Sequence, residues 1–185
     1  MNTSTLETVS PTDLLRADHS RVKDLFREFD NADYETRKSV AREAVRLLQN
    51  HDVIEQKLFY PCAREISDKA RELILRAEEA HHAMNVLITE LLVLPFSERY
   101  FAKFHTLQVA VLAHIREEEN EIFPVVERSG EDMDELGRDM LSLQRSLEAR
   151  GAVYRVARGA GTGTLLGIGA LAALGYGVYS LFSRE

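Results

Sequence analysis

His51-Asp-Val-Ile-Glu55 and His114-Ile-Arg-Glu-Glu118 each set a glutamate four residues after a histidine. On an α-helix that spacing is about one turn, so an imidazole and a carboxylate project from one face as neighbours. Each segment then runs to an aromatic and a proline at matching distances, Phe59-Tyr60-Pro61 and Ile122-Phe123-Pro124. The two are copies of one element. A single His-x-x-x-Glu pair is often no more than a surface contact between helical neighbours. Repetition with matched prolines points instead to imidazole nitrogen and carboxylate oxygen gathered to bind a cation.

The elements that must position these groups are helices. Ser10-Pro11-Thr12-Asp13 reads as a helix start, with Ser as N-cap and Pro in the first turn. Apolar stripes then predict helix A over Pro11 to Asp30 and helix B from Tyr34 to Pro61, where the proline ends or kinks it. Helix C is expected over Asp68 to Leu94 and helix D over Ser97 to Glu127. Short connections join only antiparallel neighbours, so the fold class is all-α, an up-down-up-down four-helix bundle. Helices B and D then run in one direction and bring their His-Glu pairs to one level. Antiparallel packing brings His19 of helix A and His81 of helix C toward the same level.

Four imidazoles and two carboxylates would thus meet in an otherwise apolar interior. Left uncompensated, buried polar groups cost several kcal/mol, and coordination removes that cost. The expected metal-binding residues are His19, His51, Glu55, His81, His114 and Glu118. Nitrogen and oxygen donors without sulfur suit iron, and also manganese or zinc. Six donors are too many for one tetrahedral zinc. Shared between two ions with both glutamates bridging, they leave each ion two imidazoles and an open position for dioxygen, peroxide or nitric oxide. Ferritin-like bundles use two Glu-x-x-His motifs; here only helix C offers that spacing, at Glu78 with His81 or Glu79 with His82.

Asp18-His19 within Leu-Leu-Arg-Ala-Asp-His-Ser-Arg-Val-Lys-Asp-Leu-Phe, His51 and Glu55 with Phe-Tyr-Pro, His81-His82, and His114 with Glu118-Glu119 and Ile-Phe-Pro carry a family resemblance. Over residues 11 to 150 the chain resembles the hemerythrin-like family, also called the HHE cation-binding domain. The resemblance implies a non-haem centre of two iron ions, with the four histidines terminal and Glu55 and Glu118 bridging. Oxygen-carrying hemerythrins have a His-x-x-x-His pair on the third helix, whereas the second position here is Asn85. That departure points away from simple oxygen carriage, toward peroxide or nitric oxide handling, iron homeostasis or oxygen sensing.

Neighbouring residues are assigned lesser parts. His82 is about 100° round the helix from His81 and should lie beside the site, with the alternative that it replaces His81 as ligand. His105 is out of phase with His114 and should face away. Glu117 and Glu119 should be solvated or support the ligands from outside. Tyr60 and Phe123 are read as core. Cys62, the single cysteine, forms no intrachain disulfide and is expected to be a buried free thiol.

Two further segments follow the bundle. Met133, Leu136, Met140, Leu143 and Leu147 mark an additional C-terminal amphipathic helix over Glu131 to Arg150. Residues 159–182 then hold no charged side chain and seven of the ten glycines, a length sufficient to cross a bilayer. Gly159, Gly163 and Gly167 give the small-xxx-small spacing of packed membrane helices, which would also serve a homo-oligomer. Arg150, Arg155 and Arg158 precede the segment and Arg184 follows it, so a single-pass C-terminal anchor would keep the bundle in the cytoplasm. Residues Met1 to Pro11 show no secretory signal pattern. A net charge of −7 with no basic stripe argues against a nucleic-acid partner.

The function expected is therefore a membrane-tethered di-iron protein that binds or reacts with a small oxidant. A peroxide-decomposing or nitric-oxide-reducing enzyme at the same site, or an iron-homeostasis or interaction protein, are the alternatives.

Overall fold

The computed structural model describes residues 9–159, with side chains through residue 151. All regular structure in that range is helical. Helix α1 spans Pro11–Asn31 and α2 spans Tyr34–Ile54. A π-helical turn, π1, follows over Glu55–Phe59 and leads into α3, Tyr60–Ala63. Helix α4 spans Asp68–Val93 and α5 spans Glu98–Glu117. A second π turn, π2, covers Glu118–Ile122 before α6, Phe123–Glu127; α7 runs Asp134–Gly159.

The four bundle helices start where their sequences dictate. Ser10, Asp33, Ser67 and Ser97 each accept a hydrogen bond from the backbone N–H three residues on. Such caps satisfy an orphan donor and contribute about 0.5–2 kcal/mol apiece. At the far end of α4, Leu94 is extended ahead of Pro95, as the proline ring requires of its predecessor.

Pro61, expected to end or kink helix B, does neither outright, and Pro124 near the end of helix D behaves in the same way. Pro61 and Pro124 lack an N–H, and each ring crowds the carbonyl four residues back. The chain widens by one residue just ahead of them: the N–H of Tyr60 bonds to the carbonyl of Glu55, and that of Phe123 to Glu118. Helical winding then continues past both prolines.

α1 packs on α2 and on α5, and α4 packs on α5 and on the segments around both π turns. Connections of a few residues between antiparallel neighbours give the up-down-up-down bundle. Its interior is divided. One apolar cluster holds Val22, Phe26, Leu48, Met84, Phe104 and Val111 among others; a second holds Leu15, Ile54, Phe59, Ala77, Ile122 and Phe123. On each of the four long helical paths a buried histidine lies between the residues that feed the two clusters. The polar layer separates them.

The fifth amphipathic helix begins at Asp134, later than expected, because Gly130 turns the chain with φ 76° and the following residues approach irregularly. Met140 is buried in the second cluster, and Leu136, Leu143 and Leu147 pack on it. Gly137 lies against the Val9 backbone, where a Cβ would collide with the carbonyl oxygen. Among the described residues no helix is long and apolar enough to cross a membrane. The expected membrane segment, 159–182, lies outside the described residues except for its first position.

Candidate metal centre

The six expected donors come together in one buried layer. His19 and His81 reach it from α1 and α4, His51 and Glu55 from the end of α2 and the start of π1, and His114 and Glu118 from the matching stretch of α5 and π2. Glu55 and Glu118 are fully buried, and the four histidines are nearly so.

Two groups of donors overlap. His19, His51, Glu55 and Glu118 form one; Glu55, His81, His114 and Glu118 form the other, and in each the donor atoms lie within 4.8 Å of one another. Each group is fit to hold one metal ion. Both carboxylates belong to both groups. His19 Nε2 lies 3.3 Å from His51 Nε2 and 3.2 Å from Glu118 Oε2. Across the layer, His81 Nε2 lies 2.8 Å from His114 Nε2 and 3.1 Å from Glu55 Oε2.

The donors also leave capacity unused. Glu55 Oε1 and Glu118 Oε2 are buried with no hydrogen-bond partner. An unsatisfied buried carboxylate oxygen is costly, and a cation between the carboxylates and imidazoles removes the cost. This is the observation that makes the residues fit a metal.

Acidic side chains behind the rings aim the nitrogens inward. Asp52 bonds to Nδ1 of His81, and Asn85 donates to the other oxygen of Asp52 at 3.2 Å. Glu119 Oε1 lies 3.0 Å from His19 Nδ1 and is held by Lys23. Asp18 faces His51 Nδ1 at 3.5 Å and accepts a bond from Gln144 of α7 at 2.9 Å. A carboxylate on one ring nitrogen fixes the tautomer and turns the other nitrogen toward a metal. His114 Nδ1 has no such partner.

Electrostatics follow from this crowding. Burial opposes charge on His51, yet Glu55 and Asp18 outweigh it and hold its pKa well above the usual value. For His81 the same opposition, won by Asp52 and Glu55, leaves the pKa at about 10. Burial works against ionised Glu55, but His51 and His81 hold its pKa well below the ordinary carboxylate range. His114 is pushed down, first by burial and then by His81, against the pull of Glu118.

The hemerythrin HHE cation binding domain matches residues 10–126. The chain belongs to that family. A solved hemerythrin-family structure, that of an HHE cation binding domain-containing protein from Mycobacterium kansasii, is similar to it at 25% identity and a TM-score of 0.67. The likeness covers 80% of this chain and 93% of that one. No curated protein matches the sequence significantly.

Within this hemerythrin domain the lesser assignments divide. His82 and His105 are exposed, and His81 rather than His82 enters the layer. Glu119 supports His19 from outside. Cys62 is half-buried rather than buried, with its sulfur 3.8 Å from that of Met133. Tyr60 is core as expected, its ring fully buried in the second cluster, and its hydroxyl also enters the centre, 2.8 Å from Glu118 Oε1. Phe123 stacks on His19 at 5.6 Å between centroids. Asp52 was missed altogether; its place directly after His51 was the available signal, since that position turns toward the next helix.

Proposed function

We propose that the bundle holds two iron ions, one in each donor group, and binds or reacts with a small oxidant such as dioxygen, peroxide or nitric oxide. The observation that carries this reading is the sharing of Glu55 and Glu118 between two four-residue groups. His19 and His51 would hold one ion and His81 and His114 the other, with Glu55 and Glu118 available to both. Iron bound there would supply the electrons for redox chemistry and open coordination positions for the oxidant.

The protein's own contribution is to hold, orient and shield. Asp52 and Glu119 fix two of the rings through hydrogen bonds, and Asp18 faces a third at 3.5 Å. The two apolar clusters exclude water from either side of the layer. A cavity of about 20 Å³ meets the four imidazoles and is otherwise lined mainly by side chains such as Met84, Ile88 and Val111. That is room for one water-sized molecule, which suits a small ligand and excludes a larger substrate. Asn85 stands where a further imidazole would be expected in an oxygen carrier, and its amide is engaged with Asp52. That supports reaction or sensing over reversible carriage.

The glycine-rich segment 159–182 would tether the domain to the cytoplasmic face of a membrane, where its charge pattern directs it. Stopped-flow mixing of the reduced, iron-loaded protein with oxygen, peroxide or nitric oxide tests the reading. A stable adduct supports binding or sensing, and many turnovers per centre support an enzyme. Failure of the loaded protein to respond to all three would overturn it.

A further inference from the structure

The two His-Glu copies differ at one atom that reaches the centre. Tyr60 and Phe123 hold equivalent places, each five residues after a shared glutamate and directly before a proline. Five residues of α-helix turn through about 140° net, which would swing Tyr60 away from the face of Glu55. The wider π turn carries it back, and both residues are fully buried in the same apolar cluster. Phe123 lies flat on His19, with ring planes 10° apart. Tyr60 instead meets His81 edge-on and extends its oxygen past the ring.

That oxygen is spaced like a donor. It lies 2.9 Å from His81 Nε2, 2.8 Å from Glu118 Oε1 and 3.4 Å from Glu55 Oε2. In an octahedral site with bonds of about 2.1 Å, neighbouring donors stand about 3 Å apart. The accepted donors of the same group obey that spacing, at 2.8 Å for His81 to His114 and 3.1 Å for His81 to Glu55. In the metal-free protein the hydroxyl donates to Glu118 Oε1, an oxygen that a bound cation would also claim. His81 Nε2 has one lone pair, and a bound cation would claim it.

We propose that Tyr60 is a metal ligand, its phenolate oxygen binding the ion held by His81 and His114. This rests on the two-metal reading above. As the oxygen–metal bond forms, the phenol O–H bond breaks and the proton passes to solvent; nothing is oxidised or reduced. The ion beside His19 and His51 has only a phenyl ring at the corresponding place. The two ions are therefore inequivalent, and the His19–His51 ion keeps more open positions for an incoming ligand.

Absorption and resonance Raman spectra of the oxidised, iron-loaded full chain test the assignment. The expected result is a phenolate-to-iron band in the visible, with tyrosinate ring modes enhanced on excitation within it. Those modes should shift when the protein carries ring-deuterated tyrosine. Tyr60→Phe should lose band and modes while keeping about two irons per chain. Absence of the ring modes from wild-type protein loaded with two irons would overturn the assignment without recourse to the variant, and so would their survival in Tyr60→Phe. A wild-type chain that takes up less than one iron would instead sink the two-metal reading beneath it.

Discussion

Asp52 and His81 are hydrogen-bonded between α2 and α4, the carboxylate on the Nδ1 side of the ring and the centre on the other. The imidazole is thereby held with Nε2 toward His114 and Glu55 before any cation arrives. Asp52→Ala should weaken metal binding by about 10–100-fold, the usual cost of losing a carboxylate behind a metal-bound histidine. Competition against a chromophoric zinc chelator measures it. Unchanged affinity would show that packing alone orients the ring.

Sharing of the carboxylates predicts unequal effects of removing single donors. Glu55 serves both groups, whereas His51 serves one. Glu55→Ala should depress uptake of both ions, while His51→Ala should leave the His81–His114 group competent for one. His105→Ala, an exposed substitution, should leave uptake unchanged. Metal content of anaerobically loaded variants, read beside circular dichroism to confirm folding, separates these cases. Equal loss in the Glu55 and His51 variants would argue that the two groups fill only as a unit.

Stability of the metal-free protein should depend on pH in both directions. His81 has a folded pKa of about 10 against an ordinary 6.5. Its contribution is therefore complete below about 6.5 and lost as pH rises through about 10. Glu55 is depressed, so its contribution is complete above an ordinary 4.5 and lost as pH falls below it. The urea midpoint of the metal-free chain should peak between these limits and decline toward pH 10. Metal binding displaces the same protons and should release them into weakly buffered solution. A midpoint that stays level between pH 6.5 and 10 would contradict the raised His81 pKa.

The cluster around Phe104 should act on stability without touching the metal. Phe104 is fully buried and packs against Phe26 and Phe29 at 5.8 and 4.4 Å between centroids. Phe104→Ala should cost about 3–5 kcal/mol in denaturant unfolding. Metal content should be retained below the new transition, because the layer lies beyond this cluster.

The histidine layer was legible because helical periodicity and short connections leave few ways to pack four helices. Residues recurring at turn spacing had to face inward, and His19, His51, His81 and His114 each recur within such a stripe. The π turns were hidden, since a proline near a helix end announces a disturbance without saying whether the helix stops or widens. The burial of Tyr60 was legible, but the reach of its hydroxyl was not, because on an unbroken α-helix it would not share a face with Glu55. Asp52 and Gln144 depend on how neighbouring helices are rotated against each other, which a single stripe does not encode.

A crystal structure of the iron-loaded chain, with anomalous differences collected at the iron edge, tests the central claim most directly. Two peaks about 3.5–4 Å apart are predicted, one between His19 and His51 and the other between His81 and His114, with Glu55 and Glu118 touching both. A single peak, or two peaks that share neither carboxylate, would contradict it.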